Sequence, residues 1–492
     1  MLRLATICFF LCGLGSLRAA PSDFASAADL SRAVAAGTLT SEQIVAQCLA
    51  RIQQSEPAVN AIITLNPHAL DEARALDVER RQSGPRSPLH GIPVLVKDNI
   101  DTRDLPTSLG FFGLKGSVPW ADAEVIARLR AAGAIILAKT NLSELASGPT
   151  FSSAGGQTRN PRNLAYSAAG SSSGTAAGLA AGYAPLGVGS DTTGSIRWPA
   201  ATTGVVGFKP TTGLLSCAGV LPTEPTLDTV GPLARTVADV AVLFAVLRGP
   251  VSAAPLPVLT SLRGVRLGFP RRDLTGNDPV VDTVVLAAVA RLQAAGATIV
   301  DVELPFALTE LPALTDPIYR AESLPAINGY LATLRPGWPH SLADILAQSE
   351  RVTGPSAACP FPNPGRLQGY RDQLAALPLT DPGYLAARDQ GRARLRAGLQ
   401  ALTDRSHLDA LIYPTSNQRI NAIGTPAHRG LKGYYGNLSC SLASLTGWPD
   451  LTLPAGATPE GLPVGLSLSS PAWTDDRLLA LGAQVERDFL AR

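Results

Sequence analysis

Three segments of this 492-residue chain carry side chains whose types and spacing could do chemistry. They are HGIPVLVKDN (90–99), AAGSSSGTAAG (168–178), and GVGSDTTGSIRWPA (187–200), which continues to GVVGFKPTTG (204–213). The first ends an apolar run in Lys97. An exposed lysine is a poor base, because at a pKa of about 10.4 only ~0.04% of it is neutral at neutral pH. The apolar residues before Lys97 predict desolvation, and desolvation lowers a lysine pKa. Bringing it to about 7–8 takes ~3 units, or ~4 kcal/mol. Arginine could not do this work, since it is not deprotonated in proteins. That matters here because only five of the 41 basic residues are lysines: Lys97, Lys115, Lys139, Lys209 and Lys432. The bland alternative is a surface lysine or an ion pair with Asp98.

The serines offer a nucleophile. Gly170-Ser171-Ser172-Ser173-Gly174 alone also fits a flexible loop. The segment DTTGSIRWPA is more specific. Gly194 permits a tight turn just before Ser195, and the backbone N–H groups of Thr192, Thr193, Gly194 and Ser195 are expected to converge as a nest for an oxyanion. Asp191 and Arg197 flank that turn with opposite charges and are expected to brace it. A rival reading takes Ser172 as the centre of a G-x-S-x-G nucleophile elbow with His407 or His428 downstream. Residues 162–169 make a poor strand for such an elbow. There is no H-E-x-x-H, no Walker loop and no S-x-x-K, and no cysteine spacing fits a metal site. No metal or other cofactor is expected.

Around these segments, Thr40 and Gln43 form a capping box ahead of an amphipathic helix to about residue 55, and Pro67 opens a second helix ending near Gly84. Residues 92–96 read as a buried strand, 121–133 as a helix and 134–138 as a strand, which is a parallel α/β pattern. A small-residue helix (175–182) and a strand near 186–189 follow. Residues 235–247 read as helix, and 264–269, 278–295 and 297–303 as strand, helix, strand. Residues 310–408 are mostly helical. Strands return at 409–413, 450–454 and 463–468, before a last helix from about Asp475. The expectation is one large α/β domain spanning 21–492, a central sheet flanked by helices, with helical additions at about 24–84 and 310–408.

Composition narrows the function. Hydrophobic residues are 46% and charged residues 16%, which excludes general disorder. A net charge of +2 without a long basic run leaves no footprint for nucleic acid. Residues 1–20 (MLRLATICFFLCGLGSLRAA) read as a signal peptide: Arg3, then an apolar stretch over 4–17 too short for a comfortable membrane span, then small residues. The expectation is therefore an exported protein, periplasmic or extracellular, with no stable membrane span after processing. Cys8 and Cys12 leave with the leader. Cys48, Cys217, Cys359 and Cys440 remain, either as two disulfides or as isolated thiols. The sequence does not fix the oligomeric state.

Together the three segments resemble the amidase signature family. The likeness is dense over about 89–239 and extends more thinly over about 24–490, through LDALIYPT (408–415), SLTGWPDLTLPAG (444–456) and GLPVGL (461–466). The family's VKDN lysine matches Lys97. Its Gly-Gly-Ser-Ser-Gly-Gly loop matches at Gly170, Ser171, Ser172 and Gly174, departing at Ala169 and Ser173. Its Asp-Thr-Gly-Gly-Ser-Ile-Arg matches at Asp191, Thr192, Gly194, Ser195, Ile196 and Arg197, departing at Thr193. The resemblance implies the amidase signature fold and a Ser–cis-Ser–Lys triad, with Ser195 as nucleophile, Ser171 as the bridging serine after a cis peptide, and Lys97 as neutral base. It implies hydrolysis of a small-molecule or peptide carboxamide through an acyl-enzyme, with loop 145–149 and residues 310–408 shaping the pocket. Export and overall pattern resemble bacterial peptide amidases, which act on C-terminal amides. The alternatives are a non-catalytic binding protein on the same fold and the catalytic subunit of a tRNA-dependent amidotransferase.

Overall fold

The computed structural model describes residues 25–148, 150–249, 257–426, 430–433 and 435–490. The expected leader with Cys8 and Cys12, as well as Pro149 and His428, lie outside the described residues. The strands are β1 (Ile62–Leu65), β2 (Pro93–Lys97), β3 (Ile135–Thr140), β4 (Arg159–Asn160), β5 (Asn163–Ser167), β6 (Leu186–Asp191), β7 (Val206–Lys209), β8 (Thr229–Ala234), β9 (Arg266–Phe269), β10 (Thr298–Asp301), β11 (Ala410–Pro414), β12 (Asp450–Ala457) and β13 (Pro463–Ser469). Eleven of them form one sheet in the order β1-β3-β2-β6-β8-β7-β12-β13-β11-β9-β10. The pairs β2–β3, β2–β6, β9–β10 and β9–β11 are parallel. The pairs made by β1, β7, β8, β12 and β13 are antiparallel, so the sheet is mixed.

The parallel units are those the hydrophobic pattern predicts. Val94, Leu95 and Val96 are fully buried, and burying each such side chain is worth about 1.5–3 kcal/mol. The chain returns to β3 through the helix Glu124–Ala131. The capping box forms as expected: Thr40 N–H donates to Gln43 Oε1 at 3.0 Å and Gln43 N–H donates to Thr40 Oγ1 at 3.1 Å. That helix continues to Val59, past the expected end, and stops at Asn60, whose φ is +56°. Strand β1, at the sheet edge, breaks the helical front expected over 24–84.

Strands β7 and β8 escape a reading by periodicity. Both are fully buried, and β8 (TVGPLA) carries a Gly-Pro pair that reads as a turn. Here the pair lies within the sheet, with Pro232 opposite Val188. Strands β4 and β5 form a separate two-stranded hairpin.

The main hydrophobic core packs helices onto the sheet. A smaller cluster joins Leu109, Phe111, Leu145 and Leu221 to Ile327, Leu331 and Tyr370. It holds the helix Glu310–Leu331 and its neighbours over the loops that follow β2 and β3.

Candidate active site

The site lies at the C-terminal ends of the adjacent parallel strands β2 and β6. This is where open α/β sheets bind ligands, because the loops there diverge. Strand β2 delivers Lys97, and β6 delivers Ser190 and Asp191. Register pairs Val96 with Val188, so the two strand ends arrive side by side.

Lys97 is fully buried. Its Nζ lies 2.7 Å from Ser171 Oγ, 2.8 Å from Ser190 Oγ and 3.3 Å from the Ser190 carbonyl oxygen. Burial pulls the Lys97 pKa down to about 7, against the opposing charges of Asp191 and Asp228. The alternative of a Lys97–Asp98 ion pair is not what forms. Asp98 is buried as well but pairs with Lys139 at 3.1 Å. The lysine best placed to neutralise Asp98 is thus a different one, and Lys97 is left among hydroxyls.

Ser171 follows a cis peptide bond from Gly170. The loop is fixed by the Ser143 N–H, which donates to the Ser171 carbonyl at 3.2 Å. The helix Ser173–Ala180 starts immediately after and is buried throughout. Its Gly174 sits so close to the neighbouring backbone that a Cβ there would lie 2.3 Å from the Ala61 carbonyl oxygen. Of the departures from the family pattern, Ala169 is the structurally unusual one, with φ at +60°, in the left-handed region that favours glycine. Thr193 shows no positive φ.

Ser195 is half-buried and faces the same pocket as Ser171. The Ser172 N–H donates to the Ser195 carbonyl at 3.1 Å, tying the two serine loops together. Asp191 and Arg197 form a buried bidentate pair: Nε reaches Asp191 Oδ2 at 3.0 Å and the second guanidinium nitrogen reaches Oδ1 at 2.9 Å. Burial alone would raise the Asp191 pKa, but the Arg197 guanidinium overrides it and holds the carboxylate well below the usual range. Arg197 also donates to the Cys440 carbonyl at 2.8 Å and to Asp450 at 3.0 Å.

One expectation needs correction. The Gly194 N–H does not join the nest: it donates to Asp191 Oδ1 at 2.8 Å, and the Ile196 N–H donates to Oδ2 at 3.0 Å. A buried carboxylate demands donors, and the turn supplies them from its own backbone. Gly194 is still needed for shape, with φ at +123° and Cys440 Cβ 2.8 Å from where a Cβ would sit. Among the described residues, no backbone or side-chain acceptor takes the Thr193 or Ser195 amide. The Thr192 side chain is engaged with Asp228 at 2.6 Å and Thr223 at 2.8 Å.

The pocket is lined by Ser171, Thr192, Thr193, Gly194 and Ser195, with Ser143, Ala146, Ser147, Gly148, Trp198, Thr223, Glu224, Tyr319 and Asn437 among the residues around them. Ala146, Ser147 and Gly148 of the expected pocket loop and Tyr319 of the 310–408 stretch thus both reach it. Ser190, Glu224 and Asn437 do not stand out in the sequence. Ser190 carries a signal, being next to Asp191 in the same segment, whereas Glu224 and Asn437 lie on loops with no periodicity.

Ser172 does not act as an elbow serine. It is fully buried and its hydroxyl donates to the Ser190 carbonyl at 3.1 Å. His407 caps the helix Arg392–Ser406 and does not line the pocket. Cys48, Cys217, Cys359 and Cys440 are all free thiols. Among the described residues no three His, Cys, Asp or Glu side chains are placed to hold a metal, and no helix is long and apolar enough to cross a membrane.

A family model described as Amidase matches residues 43–479. The chain is 37% identical over 481 residues to a glutamyl-tRNA(Gln) amidotransferase subunit from Symbiobacterium thermophilum, covering 93% of this chain and 95% of that one. The native peptide amidase of Stenotrophomonas maltophilia has a similar structure, with a TM-score of 0.81 at 36% identity, over 96% of this chain and 98% of that one. A structure of the peptide amidase PAM in complex with the competitive inhibitor chymostatin has a TM-score of 0.80 at 36% identity, over 95% and 98% of the two chains.

Proposed function

The chain belongs to the amidase family, and on that footing we propose that it acts on peptide amides, with Lys97, Ser171 and Ser195 as its catalytic triad. It is an amidase of the signature type, hydrolysing a carboxamide C–N bond to a carboxylate and ammonia or an amine. The observation that carries the assignment of roles is the contact of a fully buried Lys97 with Ser171 at 2.7 Å. With its pKa near 7, about half of Lys97 is neutral at neutral pH. That is about a thousandfold more base than an ordinary lysine supplies.

Neutral Lys97 takes the proton of Ser171 as Ser171 takes that of Ser195, and Ser195 Oγ bonds to the amide carbon. This is serine activation by an adjacent base, without histidine. The developing oxyanion is held by the Thr192, Thr193 and Ser195 amides, which no described acceptor takes. The intermediate collapses, the C–N bond breaks, and the relay returns its proton to the departing nitrogen. Water then attacks the acyl-enzyme by the same relay. Ser190 holds the amine of Lys97 toward Ser171, while Asp191 and Arg197 brace the turn.

A peptide amide is favoured by the likeness to the peptide amidase structures over nearly the whole chain. A second reading, an amidotransferase component, is favoured by the full-length likeness to the Symbiobacterium protein. We further propose that the chain is exported through the signal peptide expected at residues 1–20, an address that fits the first reading. The intact mass of chain recovered outside the cytoplasm checks that export, and an unprocessed chain retained inside would count against it. The test of function is ammonia release from a panel comprising C-terminal peptide amides, aryl and alkyl amides and glutamine, by the isolated protein and by Ser195→Ala. Turnover of peptide amides, lost in Ser195→Ala, is expected. Turnover that survives the substitution removes Ser195 from its role, and turnover of glutamine alone favours the second reading.

A further inference from the structure

Three carboxyl groups, Glu224, Asp228 and Glu322, cluster beside the pocket, and their surroundings differ. Asp228 is saturated: it accepts from Thr192 Oγ1 at 2.6 Å, Thr223 Oγ1 at 2.9 Å, the Thr223 N–H at 2.8 Å and the Glu224 N–H at 3.0 Å. Glu322 accepts from the Thr226 N–H at 2.9 Å, Tyr384 Oη at 2.8 Å and the Thr226 hydroxyl. The Glu224 carboxyl accepts from none of the described residues. The residue is 6% exposed, and Oε2 is wholly buried without a hydrogen-bond partner. No salt bridge joins any of the three to a described Lys or Arg. Glu224 is also the one of the three that lines the pocket containing Ser195.

A buried carboxyl group with no donor is costly, by roughly the full desolvation of the group. Such a group calls for an explanation, and one that lines a pocket is explained by a ligand that completes it. We propose that Glu224 selects the substrate, binding an ammonium group carried on the acyl half of the amide, as in an amino-acid amide or an ω-aminoalkanamide. The inference rests on the amidase reading of Ser195 for what the bound molecule undergoes. Its own basis is the orphaned carboxyl, and two features favour a cation over a neutral donor. Asp228 and Glu322 add negative character on the same side, and the cations nearest them, Lys97 and Arg392, act on Asp228 and Glu322 without a salt bridge to Glu224. Burial, reinforced by those two carboxyls, raises the Glu224 pKa well above the usual range, so an incoming cation is what makes its ionised form favourable.

The test compares ω-aminoalkanamides with n-alkanamides of matched length in two readouts. Turnover is measured with the wild-type protein and Glu224→Gln. Binding is measured by calorimetry on Ser195→Ala and on Ser195→Ala combined with Glu224→Gln. At one or more chain lengths the cationic amide is expected to bind roughly ten- to a hundredfold more tightly than its neutral match, as suits a hydrogen bond to a charged group. Glu224→Gln, which keeps the shape, is expected to abolish that preference by weakening the cationic amides more than their neutral matches. The proposal is overturned if the two series bind Ser195→Ala equally, or if Glu224→Gln weakens both alike. A charge preference in binding without turnover of either series would leave Glu224 its role and remove the amidase reading. Turnover without a charge preference would do the reverse.

Discussion

Replacing Lys97 by methionine is expected to destroy activity and to remove a pH dependence from the stability of the fold. Burial shifts the Lys97 pKa from 10.5 to about 7. A shift of about 3.5 units corresponds to ~5 kcal/mol at about 1.4 kcal/mol per unit. The unfolded chain holds this proton up to about pH 10.5, whereas the folded chain gives it up near pH 7. The cost to the folded state is therefore full below about pH 7 and fades as pH rises toward the unfolded value. The methionine variant has no such dependence. It leaves the Ser171 and Ser190 hydroxyls short of a partner, costing about 1–3 kcal/mol each, but that offset does not vary with pH. Lys209, which burial also pulls to about 7, is present in both proteins and cancels. The wild type should therefore gain on the variant by ~1.4 kcal/mol per pH unit above about pH 7. Over two units that is ~3 kcal/mol, or about 3 °C in melting temperature for a chain of this length. Paired thermal melts between about pH 7 and about pH 9 measure it. In the wild type, kcat/KM should also fall about tenfold per unit below about pH 7, as the base becomes protonated. Melting curves that stay parallel across this range, together with a flat kcat/KM profile, would refute the neutral buried amine.

Ser190→Ala removes one of the two hydroxyls that hold the Lys97 amine, and also the acceptor for Asn99 Nδ2 at 3.0 Å. It should lower kcat about ten- to a hundredfold through lost positioning, with KM nearly unchanged and the acid limb of the pH profile displaced; a KM effect alone would count against a positioning role. Ala169→Gly relieves a left-handed φ of +60°. Relief of about 1–2 kcal/mol, less the added freedom of the unfolded chain, should give a net gain of ~0.5–1 kcal/mol in denaturant unfolding with activity retained. A loss of stability would show that the alanine methyl contributes packing that outweighs its backbone cost.

What the sequence reveals divides along a physical line. The run Val94–Val96 ending in Lys97 is legible because a buried parallel strand is apolar on both faces, so a terminal lysine stands out. The glycine and serine pattern around Ser171 and Ser195 is legible because close backbone approach and a sharp turn restrict the residues allowed there, as the contacts at Gly174 and Gly194 demonstrate. Strand β8 is hidden because its Gly-Pro pair imitates a turn. The wall of the pocket is hidden for another reason. Tyr319 reaches it only because Ile327 and Tyr370 pack against Phe111 and Leu145, and no local pattern encodes an alignment between parts of the chain so far apart. The role of the Gly194 amide is not legible from nest geometry alone, because the demand of buried Asp191 for donors decides it.

The Arg197 side chain ends on groups 243 and 253 positions further along the chain, the Cys440 carbonyl and Asp450. Until that last stretch has been synthesised and has docked, the guanidinium lacks three of its acceptors, Ser444 Oγ included, and long-range contacts of this kind form late because loop closure must precede them. A nascent chain whose three motifs have emerged before residues 440–450 is therefore expected to be inactive. Any truncation upstream of Cys440 should leave the motifs intact in sequence and useless in practice.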